Sequence, residues 1–420
     1  MHADRTDRML ITPWLMQLKT RPDAGQQEAA NLLRAVGQAK FGFPESLKPQ
    51  QILSRLDVPV MLRGPEATEW DCVCADHAAM ANAGEWADLL EALRFADEDR
   101  SMASGGRRVM HLISEGARAA LRKALCATDL VTAEVELRRF QAVFEMHPHD
   151  HAAAHLLAQA LIDIGTLKRE LAAKGQLSRD LLAESAAHFQ EAEKILDDFD
   201  PIERMSPLLA GTRYLLIRGI EDGGSLCRDW FEDWCDLDPQ DDLAHATHAV
   251  FMMPGWFGSL ITFENAARRA ATLSHEVTGS AAYAIFHLAA YETLGDVLPT
   301  LDVVLFIEAL ADYQSATGCQ HRANIAANVL TEMVHSYHRM GPSAGYQLTK
   351  ARTALSDVLW NRLHEVHLES WTHRADGLAY ALCEVFGPAL QRGARISRRG
   401  EGLVARVPRS VSVSPRLAAP

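Results

Sequence analysis

Apolar residues along this chain recur at steps of three and four. Ala133, Leu137, Phe140 and Phe144 form one stripe, and Leu182, Phe189, Leu196 and Phe199 a second. Ala266, Ala270, Leu273 and Val277 make a third, and Ala326, Leu330, Met333 and Tyr337 a fourth. Residues so spaced share one face of an α-helix, and a narrow apolar face needs a neighbour to cover it. No segment alternates with period two between turn residues, so no sheet is expected. Gly165, Gly219 and Gly341 each follow a helical run and read as C-terminal caps, where glycine tolerates left-handed backbone. Connections between stripes are short, which favours antiparallel neighbours. The expected fold is all-α, an irregular α-α superhelix of stacked helical hairpins.

Helix junctions repeat weakly. Met146-His147-Pro148-His149-Asp150 precedes an Ala-rich helix, Leu237-Asp238-Pro239-Gln240-Asp241 precedes another, and Asp200-Pro201 marks a comparable point. Proline ends one helix, and an acidic residue follows near the next N-terminus, where the helix dipole favours it. Through these junctions, in "FQAVFEMHPHDHAAAHLLAQAL" and "FEDWCDLDPQDDLAHATHAV", the chain resembles tetratricopeptide-like helical-repeat proteins over residues 80–340. It departs from them in keeping neither a 34-residue period nor their fixed Trp, Gly and Ala positions. More loosely, "MMPGWFGSLITFENAARRAA" and "FIEALADYQSATGCQHRANIAANV" are similar to a bacterial helical-repeat family of uncharacterised function. Both resemblances imply architecture and attach no activity.

Three regions are expected: an irregular helical cap over 1–64, with one helix near 26–39; a helical-repeat domain over 65–390; and a disordered, Arg-rich tail over 391–420. The first holds Pro13, Pro22, Pro44, Pro49 and Pro59, with Pro65 at its border, and the last loses periodicity from Gly393 onward. The composition fits a helical body, with 48% hydrophobic and 23% charged residues and few prolines.

Charge is unevenly placed. The chain carries −13, yet Arg392, Arg395, Arg398, Arg399, Arg406, Arg409 and Arg416 against Glu401 give the tail +6, leaving −19 on the rest. Such a body repels duplex nucleic acid, whereas the tail is suited to a weak contact with it or with an anionic surface. Seven cysteines without a paired framework point to a reducing compartment. Cys227 and Cys235, on one helix, would stand about 12 Å apart, beyond disulfide reach. The N-terminus shows no secretory pattern, so a cytoplasmic location is expected. The uncharged run 243–263 is broken by Pro254-Gly255-Trp256-Phe257-Gly258 and contains His245 and His248, so it reads as two helices meeting at a turn, not a membrane span.

Histidine is the one unusual feature, with 18 residues. Asp242, His245 and His248 lie three apart, Glu332, His335 and His338 repeat that spacing, and Asn361, His364 and His367 echo it. Two such residues on one helix face can share a metal ion, and a Glu-x-x-His from each of two helices is half of a di-iron pattern. On a helical wheel, however, Leu243, Ala246 and Val250 read as the core stripe, with His245 and His248 opposite, and His335 likewise turned away from Leu330, Met333 and Tyr337. His151 and His155, beside His147 and His149, offer a further two-ligand arrangement without a third ligand in sequence reach. Gly341-Pro342-Ser343-Ala344-Gly345 matches a nucleophile-elbow pattern, but a helix precedes it where a strand is required. Trp230 and Trp234, with Trp256, read as packing or as anchors for a partner. No phosphate-binding loop, dinucleotide fingerprint or paired Cys-x-x-Cys occurs.

The leading expectation is a non-catalytic scaffold or adaptor that holds a protein or peptide, basic if the groove is acidic, in a concave helical groove. Trp230, Trp234, Trp256, His245, His248 and His335 would line it, and no cofactor is needed. The alternative is a metal-binding protein or metal-dependent enzyme using the paired histidines His245, His248, His335 and His338 with Glu332, or His151 with His155.

Overall fold

The computed structural model describes residues 41–44, 47–173, 179–220, 223–295 and 299–407. The expected helix at 26–39, Arg409 and Arg416 lie outside them. The fold is all-α in class, with 74% of the described residues helical. The described chain opens with a short helix α1 (Pro49–Leu53) and two two-residue strands, β1 (Leu56–Asp57) and β2 (Val60–Met61). The helices α2 (Pro65–Ala83), α3 (Trp86–Asp99), α4 (Val109–Ala117), α5 (Ala119–Cys126), α6 (Leu130–Met146), α7 (His151–Ala173) and α8 (Arg179–Asp197) follow. After them come α9 (Pro207–Leu215), α10 (Cys227–Leu237), α11 (Asp242–Phe251), α12 (Leu260–Leu273), α13 (His275–Thr278), α14 (Ala281–Leu294) and α15 (Val303–Ser315). The chain ends with α16 (Gln320–Met340), α17 (Gly345–Asn361), β3 (Val366–His367), α18 (Arg374–Gln391), β4 (Arg395–Arg399) and β5 (Gly402–Arg406).

These elements form two compact units. One runs over 65–317, and the other takes up the chain again at residue 318. Residues 318–407 belong with 41–64. Within the first unit, 65–317, packing joins helices close in sequence, α7 with α8, α6 with α7, α9 with α10 and α14 with α15 among them. Side-chain caps fix where several begin. Asp129, Ser206, Asp241, Ser259 and Asp302 each accept a backbone N–H from the first turn of the helix that follows. Uncharged run 243–263 divides into α11 and the start of α12 as expected, and no described helix is long and apolar enough to cross a membrane.

The second unit corrects two expectations. It contains small sheets, β1-β4-β5 and β2-β3, and 395–406 is an ordered hairpin within the stretch expected to be disordered. Leu56 and Asp57 pair in parallel with Ile396 and Ser397, and Val60 and Met61 with Val366 and His367. Strands of two residues carry no readable alternation. The hairpin did carry a signal: Gly400-Glu401 is a two-residue loop, and Gly400 adopts φ 62°, which glycine permits without strain. Ile396 and Leu403 are buried beneath it, while Arg395, Arg398, Arg399 and Arg406 remain exposed.

Three stripes keep their face, one of them with a single residue displaced, and one rotates. Ala133, Leu137 and Phe140 are buried, as are Ala326, Leu330 and Met333. In α8 Leu181 is buried and Leu182 is 51% exposed, although Phe189, Leu196 and Phe199 are buried. In α12 the buried face is Phe263, Ala267 and Ala270, leaving Leu273 and Val277 exposed. Where a helix offers small alanines on more than one face, a single large residue such as Phe263 decides which face turns inward. Gly165 is not a cap: it lies inside α7, where a Cβ would come within 3.1 Å of the Phe189 ring. Gly219 answers to the same phenyl, whose Cγ would stand 2.2 Å from its Cβ. Gly341, with φ 74°, does close α16.

Candidate functional site

The structure reverses the assignment of faces on α11. His245 and His248 are buried, whereas Leu243 and Ala246, read as core, are partly exposed. His245 Nε2 meets the Pro239 carbonyl oxygen at 3.0 Å. His248 stacks on Phe231, ring centres 3.9 Å apart, and its Nδ1 lies 2.6 Å from the Tyr214 hydroxyl. Burial pulls the His248 pKa down to about 3. Both are neutral core histidines, satisfied by neighbours and withheld from any groove.

The other nominated residues disperse. His335 is buried, edge-on to Phe41 and Tyr380, rather than turned away. Glu332 is also buried, 3.6 Å from His373, while His338 is exposed and 3.5 Å from Glu384. Trp234 is fully buried, whereas Trp230 and Trp256 are half-buried, each with an arginine over its ring: Arg213 at 5.0 Å and Arg218 at 6.0 Å. His151 faces Asp97 at 3.4 Å, and His155 turns into the core. Among the described residues no three His, Cys, Asp or Glu side chains are grouped to hold a metal ion. Ser343 Oγ donates to the Met340 carbonyl in the turn between α16 and α17, a helix connection as its context implied.

What the first unit does contain is a cavity of about 110 Å³. Its apolar wall comes from Leu208, Leu215, Trp234, Leu243, Ala246, Val250 and Phe251, so the stripe read as core on α11 is the lining of this space. Gly211 of α9 admits the Trp234 indole, which would stand 2.7 Å from a Cβ there. The polar wall comes from α4, α5 and α7. His155 Nδ1 lies 2.6 Å from Thr212 Oγ1, and His155 Nε2 lies 2.7 Å from Ser114 Oγ. Thr212 spends its one proton on the Leu208 carbonyl, so it accepts from Nδ1–H, and Ser114 then donates to Nε2.

Charged groups in this wall are mostly matched. Arg118, fully buried, pairs with Asp163, which also accepts from Gln159. Arg122 pairs with Glu115 at 3.1 Å, and His111 with Asp241 at 2.7 Å. Burial alone would raise the Glu115 carboxyl, but Arg107 and Arg122 hold it below its usual value. Asp241 is likewise lowered, burial being outweighed by His111 and Arg108. Arg218 differs. It is 9% exposed, its guanidinium lies over the Phe251 ring at 5.3 Å, and among the described residues it has no carboxylate at ion-pair distance and no side-chain hydrogen bond.

Ser114 and His155 stand as a nucleophile and base would, but the environment works against that use. Burial, then Arg118, drive the His155 pKa well below its ordinary value. A threonine hydroxyl occupies the place where a carboxylate would stabilise imidazolium. The pair is a neutral polar floor.

Of this lining the sequence points only to Trp234, as a partner anchor, and to His155, as a metal ligand; the remaining residues carry no such expectation. A signal was present in His111, Ser114, Arg118 and Arg122, which step by three and four through a largely apolar stretch. Compared with known proteins, the chain matches no family model, no curated protein and no solved structure.

Proposed function

We propose that the protein is a non-catalytic binding protein whose recognition site is the cavity between α4, α5, α7, α9, α10 and α11, and that its ligand is a small molecule. The observation that carries this reading is one continuous space with an apolar wall on one side and buried, hydrogen-bonded polar groups on the other. That combination is typical of small-ligand sites, where apolar surface gives affinity and a few fixed polar groups give orientation. At about 110 Å³ the cavity is smaller than the roughly 150 Å³ that encloses benzene, so it suits a single small ring only with part of the ligand left toward the opening. This reading retains a binding role and places it in a small cavity in place of the expected peptide groove. Seven free cysteines support a reducing, cytoplasmic setting.

Calorimetry with benzyl alcohol tests the site. One equivalent should bind the full chain, and Ala246→Phe, which fills the space from a half-exposed position, should abolish binding while thermal unfolding stays cooperative. Undiminished binding in that variant would place the ligand elsewhere.

A further inference from the structure

The cavity's charges are not equivalent, and the difference indicates what the ligand carries. Arg118 and Arg122 each face a carboxylate within the wall, and Arg108, buried behind it, faces Asp238 at 2.5 Å. This is the usual condition of a buried guanidinium, because taking an unpaired cation out of water is costly. Arg218 lines the same cavity, is more than nine-tenths buried, and has no such partner among the described residues. Its surroundings are the Phe251 and Trp256 rings, at 5.3 and 6.0 Å, with the Asp163 and Glu170 charges at longer range. Asp163 is already committed to Arg118 and Gln159. Ring faces offset only part of a guanidinium's lost hydration, and they leave its in-plane N–H donors unused.

A second donor of the wall is also idle. Trp234 Nε1 is buried without a hydrogen-bond partner among the described residues. Two unfilled donors, one of them charged, in a pocket otherwise apolar or internally satisfied are complementary to a group that only accepts hydrogen bonds and bears negative charge. His155, kept neutral by its burial, adds no competing cation.

We propose that the ligand of this cavity is a small apolar anion, a carboxylate or comparable oxyanion on an apolar body, with the Arg218 guanidinium as its charge partner. The proposal rests on the cavity being the recognition site, and the experiment separates the two. Benzoate, benzyl alcohol and benzylamine share one ring and differ in the charge of the substituent. On the full-length protein, benzoate should bind roughly ten- to hundredfold more tightly than benzyl alcohol, the range of a charge-assisted hydrogen bond, and benzylamine should not bind. Arg218→Met should remove that preference, so that the variant's affinities for benzoate and benzyl alcohol become equal. Without ligand it should unfold at the same temperature as the wild type or higher, since a buried charge lacking a partner is replaced by an apolar chain. Equal affinity of the wild type for benzoate and benzyl alcohol would overturn the anion proposal and leave the cavity reading standing. A preference that survives Arg218→Met would overturn the assignment to this residue. Should neither benzoate nor benzyl alcohol bind the wild type, both readings fall together. The comparison of ligands on the wild type decides the question even if the variant does not fold.

Discussion

At the scale of single residues, the informative errors concern histidine. The helical wheel puts His245 and His248 on the polar face because Leu243, Ala246 and Val250 read as the core stripe. Here stacking on Phe231 and a hydrogen bond to Tyr214 make a neutral imidazole a sound core residue. The cost appears on acidification. The folded-state pKa of His248, about 3, lies below the roughly 6.5 of an unfolded chain, so the unfolded state binds the proton first. His248 therefore stabilises the fold fully above pH 6.5 and progressively less down to pH 3, with about 2 kcal/mol lost by pH 5. His155, His245 and His287 shift in the same direction and steepen the dependence. Urea midpoints between pH 7.5 and 5 should fall steeply for the wild type and less steeply for His248→Asn, an amide that cannot charge. Parallel slopes would show that His248 does not take part.

At the scale of elements, helix existence was legible and helix rotation was not. A period of three to four residues survives any choice of face, so α6 and α16 could be placed. The inward side of α12 depended on Phe263 outweighing many alanines, and the two-residue strands β1 to β3 offered no period at all. The cavity was missed for a related reason. Its lining on α11 is apolar, and an apolar stripe reads as core whether it meets another helix or an empty space. Junctions between elements, in contrast, carried their meaning openly as Asp and Pro. Asp97 shows how such an anchor works across elements. Fully buried at the end of α3, it accepts from Ser206 Oγ at 2.5 Å and from Leu208 N–H at 2.9 Å, so it holds the start of α9. Asp97→Ala would strand both donors in the core. It is expected to cost about 2–4 kcal/mol, read as a fall in the denaturation midpoint at pH 7. Because α9 carries Gly211 and Thr212, the same variant should weaken benzyl alcohol binding.

For the whole molecule, the second unit is built from both sides of the first in sequence. Its sheet β1-β4-β5 joins Leu56 to Ile396 across most of the chain. Ile396 is fully buried at that seam. Ile396→Ala should cost about 2–5 kcal/mol. By hydrogen exchange, protection should fall across 318–407 and 47–62 and remain in 65–317. A uniform loss over both regions would show that the two units unfold as one. The folded hairpin also alters the meaning of the basic C-terminal region. Arg395 and Arg406 sit directly opposite each other across β4 and β5, a like-charge pair that disfavours the hairpin slightly.

The interleaved order of the chain has a consequence for how the protein is made. On a ribosome, residues 65–317 emerge as one uninterrupted stretch and can settle as soon as they are clear. The short strands at 56–57 and 60–61, made earlier, must wait for partners at 396–397 and 366–367, which emerge only after the whole of 65–317 has been made. A transcript cut short before codon 366 would leave the early segment with nothing to pair against, and its product would be a natural target for degradation rather than a shorter working protein.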